Sequence, residues 1–133
     1  MSLQRFRPVL VPLSVAATIL EVEPESVREM VESGRLRWVW NVASTASRAE
    51  LRFWLAELLG RGLAGAPGSQ VIERVVGYPF EKRLRCRTVC NLLYIARPHL
   101  QRLTGELPIS LEGGLCWISR ADVVRFLERR LWQ

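Results

Sequence analysis

The stretch that decides the fold reads Thr88-Val-Cys-Asn-Leu-Leu-Tyr-Ile-Ala-Arg-Pro-His-Leu-Gln-Arg-Leu103. It contains two short segments with apolar residues at helical spacing, separated by a break at residues 94–97. A turn at Gly105, a glycine pair at Gly113-Gly114 and a further periodic segment up to Leu131 follow. This order predicts a helix, a tight turn, a second helix, a β-hairpin and a closing helix.

A weaker copy of this pattern lies near the N-terminus. When the two halves are aligned without gaps, the apolar and small positions coincide: Ala17 with Cys90, Ile19-Leu20 with Leu92-Leu93, and Val27 with Leu100. With a slightly shorter offset, Ser47-Arg-Ala-Glu50 aligns with Ser119-Arg-Ala-Asp122. Because serine followed three residues later by glutamate is typical of a capping box, this segment predicts a helix that ends at Gly60. The sequence therefore indicates an internal repeat.

A glycine-rich stretch separates the two copies. Residues 60–68 have linker composition, so we expect a first unit at residues 1–60, a linker at 61–70 and a second unit at 71–133. Residues 71–80 are expected to be extended. Leu36, Trp38 and Trp40 alternate with other residues, which predicts a half-buried strand in the first unit.

Several short motifs resemble the excisionase-type, MerR-like winged helix-turn-helix family. In the second unit these are Leu92-Leu93, Ile95, Gly105-Glu-Leu-Pro108, Glu112-Gly-Gly114, Trp117-Ile118 and Ser119-Arg-Ala-Asp122; in the first they are Ala16-Ala17, Ile19-Leu20, Val22 and Glu32-Ser-Gly-Arg-Leu36. The resemblance implies a mainly α fold with short β wings, arranged as two tandem winged helix-turn-helix units. It also implies binding of double-stranded DNA.

The charge of the chain favours a polyanionic partner. The formal net charge is +6, the isoelectric point is about 10.2, and Lys82 is the only lysine. From Pro67 onward there are eleven basic and six acidic residues, against eight and seven before it. Arginine offers a planar fork that suits phosphates and guanine edges. The second unit therefore carries most of the expected attraction for DNA.

The candidate DNA contacts are polar side chains: Arg85, Arg87, Arg97, His99, Gln101 and Arg102 in the second unit, and Arg28, Arg35 and Arg37 in the first. Arg85 and Arg87 are expected at phosphates, and the second helix of the second unit, with Arg97, His99, Gln101 and Arg102, is expected to meet base edges in the major groove. In the first unit, five glutamates between Glu21 and Glu32 repel phosphate, which favours a structural or protein-contact role.

Five tryptophans are many for 133 residues. Trp38, Trp40 and Trp132 have two open interpretations: they fill the core between the units, or they form an exposed surface for a second copy or another protein. The three cysteines, Cys86, Cys90 and Cys116, are expected in the core rather than at a zinc ion. No metal or cofactor is expected, and an odd number of cysteines fits a reducing cytoplasm.

An enzymatic function is not expected, because a single histidine and the absence of a recognisable catalytic arrangement remove most acid–base schemes. No apolar run is long enough to span a membrane. The favoured function is DNA binding by a small transcriptional regulator or recombination directionality factor of a bacterium or phage. The alternative is a protein-interaction or dimerisation adaptor that has lost DNA binding, which the hairpin sequence Glu112-Gly-Gly-Leu-Cys116, without a basic residue, favours.

Overall fold

Seven helices and six short strands follow one another along residues 8–132, the part of the chain that the computed structural model describes. In chain order they are β1 (Leu10–Pro12), α1 (Leu13–Leu20), α2 (Pro24–Glu32), β2 (Val39–Asn41), β3 (Leu51–Trp54), α3 (Leu55–Leu58), α4 (Gly68–Val76), β4 (Arg83–Arg85), α5 (Cys86–Leu93), α6 (Arg97–Gln101), β5 (Ser110–Glu112), β6 (Leu115–Ser119) and α7 (Arg120–Arg130). The strands form two antiparallel three-stranded sheets, in the orders β1-β3-β2 and β4-β6-β5. The fold is therefore mixed α/β.

The same succession of elements occurs twice. In residues 10–58, the N-terminal segment, and in residues 83–130, the C-terminal segment, a strand is followed by two helices, two strands and a helix. The first three elements begin at positions 10, 13 and 24 in one segment and at positions 83, 86 and 97 in the other, so their offset is constant. It is the offset that aligns Ala17 with Cys90 and Val27 with Leu100. The starts of these three strands and helices are therefore related by the same offset as the aligned apolar residues.

The turn between the two helices also repeats in detail. Glu21 and Tyr94, which the same offset aligns, end α1 and α5 in the left-handed conformation, with φ of 57° and 58°. Left-handed backbone is uncommon outside glycine, and at a helix end it lets the next N–H groups reach back to free carbonyls. Accordingly, Val22 N–H donates to the carbonyl of Ala17 and Ile95 N–H donates to that of Cys90.

The second part of the predicted repeat is wrong. Strand β3 pairs with β1 through Leu10 and Trp54, and β6 pairs with β4 through Arg83 and Ser119, so Trp54 rather than Ser47 is equivalent to Ser119. Residues 47–50 do not begin a helix. They belong to the loop 42–50, and the helix that follows β3 has only four residues. Since β3 is a central strand with a partner on each side, backbone pairing outweighs the local capping signal.

The segment predicted to be extended at residues 71–80 is mostly helix. Helix α4 begins at Gly68 and ends at Val76, and its apolar residues Val71, Ile72, Val75 and Val76 lie on one buried face. This spacing fits an amphipathic helix that packs against α7. The helix also occupies the last residues of the predicted linker, and the domain boundaries themselves stay a prediction.

Two clusters of buried side chains stabilise the fold. The smaller one lies within the N-terminal segment and includes Val11, Val27 and Phe53. The larger one joins both segments, because Trp40 and Trp54 pack with residues of the second segment such as Phe126. Among residues 8–132, no helix has both the length and the apolar character needed to cross a membrane.

Candidate nucleic-acid interface

Three of the predicted arginines lie around one cavity of about 240 Å³ in the C-terminal segment. Arg85 ends β4, Arg87 is in the first turn of α5, and Arg97 begins α6. The rest of the lining is Cys86, Gly114, Leu115 and Cys116, so within the described part of the chain no carboxylate lines this cavity. We call it the basic groove. Its arginines are the predicted site residues that the fold brings together.

The β5–β6 hairpin forms one wall of the basic groove. Gly113 and Gly114 have φ of 61° and 78°, as a two-residue turn between antiparallel strands requires. Glu112 on this hairpin pairs with Arg83 at 2.9 Å. The charge of Arg83 is thereby balanced, whereas the turn itself carries no side chain that would obstruct a large ligand.

Trp117 on β6 supports the arginines of β4. The guanidinium carbon of Arg83 lies 4.1 Å from the centre of the indole ring, and that of Arg85 lies 5.7 Å from it. Contacts of this kind hold an arginine side chain in place without neutralising its charge. Arg83 was not among the predicted site residues, although its alternation with Leu84 and Arg85 is a strand pattern visible in the sequence.

The three cysteines lie beside the basic groove. Arg97 Nη2 lies 2.6 Å from Cys116 Sγ. Burial raises the pKa of the Cys86 thiol to about 11 and also raises the pKa of Cys90. Cys86 is buried and the other two are half-buried, all three as free thiols. Within residues 8–132, no group of three or more His, Cys, Asp or Glu side chains is placed to hold a metal ion.

Helix α6 does not present its whole outer face to solvent, because the loop 42–50 of the N-terminal segment packs against it. His99 is only 8% exposed; its Nε2 lies 2.7 Å from the carbonyl oxygen of Val42, and its Nδ1 lies 3.7 Å from Glu50 Oε2. Arg102 Nε donates to Ser44 Oγ at 3.2 Å. The expectation that His99 contacts a base does not fit its burial. Arg102 uses its Nε for the contact with Ser44. Arg97 and Gln101 remain exposed.

A buried arginine reinforces this contact between the segments. Arg52 on β3 donates from Nε to the carbonyl of Leu93 and from Nη2 to that of Tyr94, both at 3.0 Å. These carbonyls belong to the end of α5, where helical partners are missing. Burial lowers the pKa of the Arg52 guanidinium, and the charges of Glu50 and Tyr94 oppose the shift. Nothing in the sequence distinguishes Arg52 from an exposed arginine.

Arg130 links α7 to the same loop. It forms an ion pair with Glu106 and donates from Nη1 to the carbonyls of Asn41 and Ala43, at 3.1 and 2.8 Å. The hydrogen bond from Arg130 holds the pKa of Glu106 below its ordinary value, although burial opposes the shift. No local sequence pattern indicates this ion pair, because Glu106 and Arg130 are far apart along the chain.

The lowered pKa of Glu106 predicts a pH dependence of stability. A carboxyl whose pKa is lower in the folded state stabilises the fold above its unfolded pKa, about 4.3, and this contribution is lost as the pH falls through the folded value. We expect the free energy of unfolding, measured by urea denaturation between about pH 6 and pH 3, to fall less steeply in Glu106→Gln than in the wild type. Exposed Glu128→Gln serves as the control. Equal slopes in wild type and Glu106→Gln would contradict the assignment.

The candidate DNA contacts of the first unit lie outside the basic groove. Arg28 is exposed on α2 among Glu25, Glu29 and Glu32, which are also exposed. Arg35 and Arg37 line a different cavity, of about 320 Å³, together with Glu57. The fold therefore does not unite these three arginines with the basic groove.

The tryptophans predicted as an exposed interface are mostly internal. Trp38 and Trp40 are buried and stack with their ring centres 6.4 Å apart, and Trp40 Nε1 donates to the carbonyl of Leu127 at 3.0 Å. Trp132 is 40% exposed, and its N–H donates to the carbonyl of Val39 at 2.8 Å, beside the bridge between Trp40 and Leu131. Of the two interpretations, core filling between the segments fits Trp38 and Trp40.

Comparisons with known proteins add no relative. No protein-family model matches the chain. Searches of curated proteins and of solved structures find no significant match either.

Proposed function

We propose that this chain binds double-stranded DNA and that its two segments are tandem winged helix-turn-helix units. The repeated order of elements, the matching left-handed turns at Glu21 and Tyr94, and the hairpin after each helix pair support the fold proposal. On this proposal α2 and α6 are the second helices of the two motifs, and the β5–β6 hairpin is the wing of the second unit. A small transcriptional regulator or recombination directionality factor is the corresponding biological role.

The observation that carries the DNA proposal is the basic groove. Arg85, Arg87 and Arg97 come from three different elements and surround one cavity, in which no carboxylate of residues 8–132 neutralises them. Guanidinium groups bind phosphate oxygens strongly and as paired donors. The cavity is bounded by the bare turn at Gly114, so a phosphate backbone has access to it. The C-terminal segment is therefore the proposed DNA-binding part.

The proposed set of DNA contacts is smaller than the set expected from the sequence. Since His99 and Arg102 contact the loop 42–50, we assign phosphate contacts to Arg85 and Arg87 in the basic groove and base contacts to Arg97 and Gln101 alone. With so few side chains free to read bases, most of the binding free energy comes from the phosphate backbone. Binding is then strongly salt-dependent and only weakly dependent on sequence.

A single substitution tests the groove. Replacing Arg87 with alanine removes one phosphate contact, so we expect duplex affinity to fall by about tenfold to a hundredfold, since a hydrogen bond to a charged group contributes about 1.5–3 kcal/mol. The negative slope of log K against log salt concentration should become shallower by about 0.9, because one phosphate contact is lost. Fluorescence anisotropy with a labelled duplex at several salt concentrations measures both quantities.

Arg74→Ala is the matched control, because it also removes one exposed positive charge but lies on α4, away from the groove. Equal losses in Arg87→Ala and Arg74→Ala would show that only net charge matters. That result would contradict a specific role for the groove.

A specific observation also favours the adaptor function. The contact between α6 and the loop 42–50 removes part of that helix from solvent, while Leu111 on the hairpin and Phe80 before β4 are 76% and 96% exposed. An exposed apolar patch is typical of protein contacts, and these two side chains are the candidates for one. If the wild type has no affinity for duplex DNA at about 50 mM salt, where phosphate binding is strongest, the adaptor function replaces the DNA proposal.

A further inference from the structure

We infer that Cys86 and Cys116 are an oxidisable thiol pair that closes to an intramolecular disulfide when the chain meets a hydroperoxide, with Cys90 left as a free thiol. This inference concerns the wall of the basic groove and does not depend on DNA binding. It gives the cysteines a chemical role beyond filling the core.

The strand register places the two cysteines opposite each other. Strands β4 and β6 pair Arg83 with Ser119, Leu84 with Ile118 and Arg85 with Trp117. One residue beyond the last of these pairs lie Cys86, the first residue of α5, and Cys116 on β6, so an extension of the register sets them opposite each other. Directly opposite residues of antiparallel strands have Cβ atoms about 4.5–5.5 Å apart. A disulfide needs about 3.5–4.5 Å, so a small approach of the two side chains is sufficient.

Two further observations place the thiols together. Cys86 and Cys116 line the same cavity. In addition, the charge and side-chain hydrogen bond of Cys116 contribute to the raised pKa of Cys86. The two thiols therefore lie on the lining of the same cavity, as the extended register predicts.

Cys90 is a poor competitor for the same bond. It lies one helical turn after Cys86 on α5. Side chains at this spacing have Cβ atoms about 5–6 Å apart along a rigid helix, which is too far for a disulfide. Register thus selects Cys116 as the partner of Cys86.

The surroundings decide which sulfur reacts first. Cys116 lies on the open cavity, and the guanidinium of Arg97 beside its sulfur can stabilise the negative charge that develops on the leaving oxygen of the hydroperoxide. Cys86 is fully buried and keeps its proton, because burial raises its pKa to about 11. Cys116 is therefore the attacking thiol and Cys86 the one that resolves the intermediate.

Both steps balance. The Cys116 sulfur attacks one oxygen of the hydroperoxide, the O–O bond breaks, an alcohol or water leaves, and a sulfenic acid forms. The Cys86 sulfur then attacks the Cys116 sulfur, the S–S bond forms, and the S–O bond breaks. The leaving hydroxide takes the Cys86 proton as water. Two thiols are oxidised by two electrons while one hydroperoxide is reduced.

Closure of the disulfide changes the basic groove. The bond joins the wing strand β6 to the first residue of α5, which fixes two walls of the groove to each other. It also changes the sulfur beside Arg97 from a thiol to a disulfide sulfur.

Thiol counting by mass spectrometry tests the pair in the intact chain. The reduced protein, denatured and treated with N-ethylmaleimide, takes three adducts, one for each free cysteine. After exposure to hydrogen peroxide we expect one adduct, located on Cys90, and a monomer on a non-reducing gel. In Cys90→Ser the count should fall from two adducts to none, which avoids any substitution of the buried Cys86.

Three outcomes would overturn the inference. One is retention of all three adducts at peroxide levels that oxidise free cysteine. Another is a disulfide that contains Cys90 or joins two chains. The third is overoxidation of Cys116 while Cys86 still reacts with N-ethylmaleimide.

Discussion

Replacing Trp40 with alanine is expected to lower the free energy of unfolding by about 3–5 kcal/mol. The indole is fully buried in the cluster that joins the two segments, and it stacks on Trp38. Its Nε1 donates to the carbonyl of Leu127, which loses its partner in the variant. Since small domains are stable by only about 5–15 kcal/mol, this one substitution removes a large share of the total.

Two comparison variants make this prediction specific. Trp40→Phe keeps most of the apolar volume and loses only the indole donor, so its loss should be clearly smaller. Trp132→Ala removes a partly exposed indole, and its backbone hydrogen bond to Val39 survives. Urea denaturation followed by circular dichroism measures all three. If Trp40→Ala and Trp132→Ala lose the same stability, the shared core does not hold the segments together.

Replacing Arg52 with methionine is expected to cost about 2–4 kcal/mol of stability. Methionine occupies a similar volume, so the loss reports the hydrogen bonds rather than a cavity. Arg52 satisfies the carbonyls of Leu93 and Tyr94 at the end of α5, and a buried carbonyl without a donor is costly. Arg52→Lys should recover part of the loss, because an ammonium group can reach one carbonyl but lacks the fork.

The matched control is Arg48→Met, in the exposed part of the loop 42–50. Hydrogen exchange adds a local measurement, since the amides of α5 should exchange faster in Arg52→Met than in Arg48→Met. Equal stability and equal exchange in the two variants would show that Arg52 does not anchor the end of α5.

Those parts of the fold that depend on local sequence were predictable. Pro24 and the apolar residues Val27 and Leu100 mark equivalent helices, and the glycine pair at residues 113–114 marks a hairpin. Each of these signals acts within a few residues. The constant offset between the two copies is accordingly found in the strands and helices that they specify.

The remaining parts depend on partners distant in sequence. Ser47 and Glu50 have the spacing of a capping box, but residues 51–54 pair with β1 and β2 and form a strand instead. Val71 to Val76 contains residues typical of strands as well as a helical spacing, and packing against α7 selects the helix. A short stretch of sequence does not show which distant strand or helix it will pack against.

The candidate site was predictable to a similar degree. Charge and motif position identified Arg85, Arg87 and Arg97, which the fold unites. The prediction that His99 contacts a base does not fit the structure, because His99 is buried where the two segments pack together. The same dependence explains why Arg52 was not identified from the sequence.

The most direct test of the DNA-binding proposal is an NMR titration of the isotope-labelled protein with a short duplex. Binding through the basic groove predicts that the amide signals of residues 85–87, 97 and 113–116 shift as duplex is added, and that those of α2, with its exposed glutamates, stay in place. Shifts confined to α2, or none around the basic groove, would contradict it.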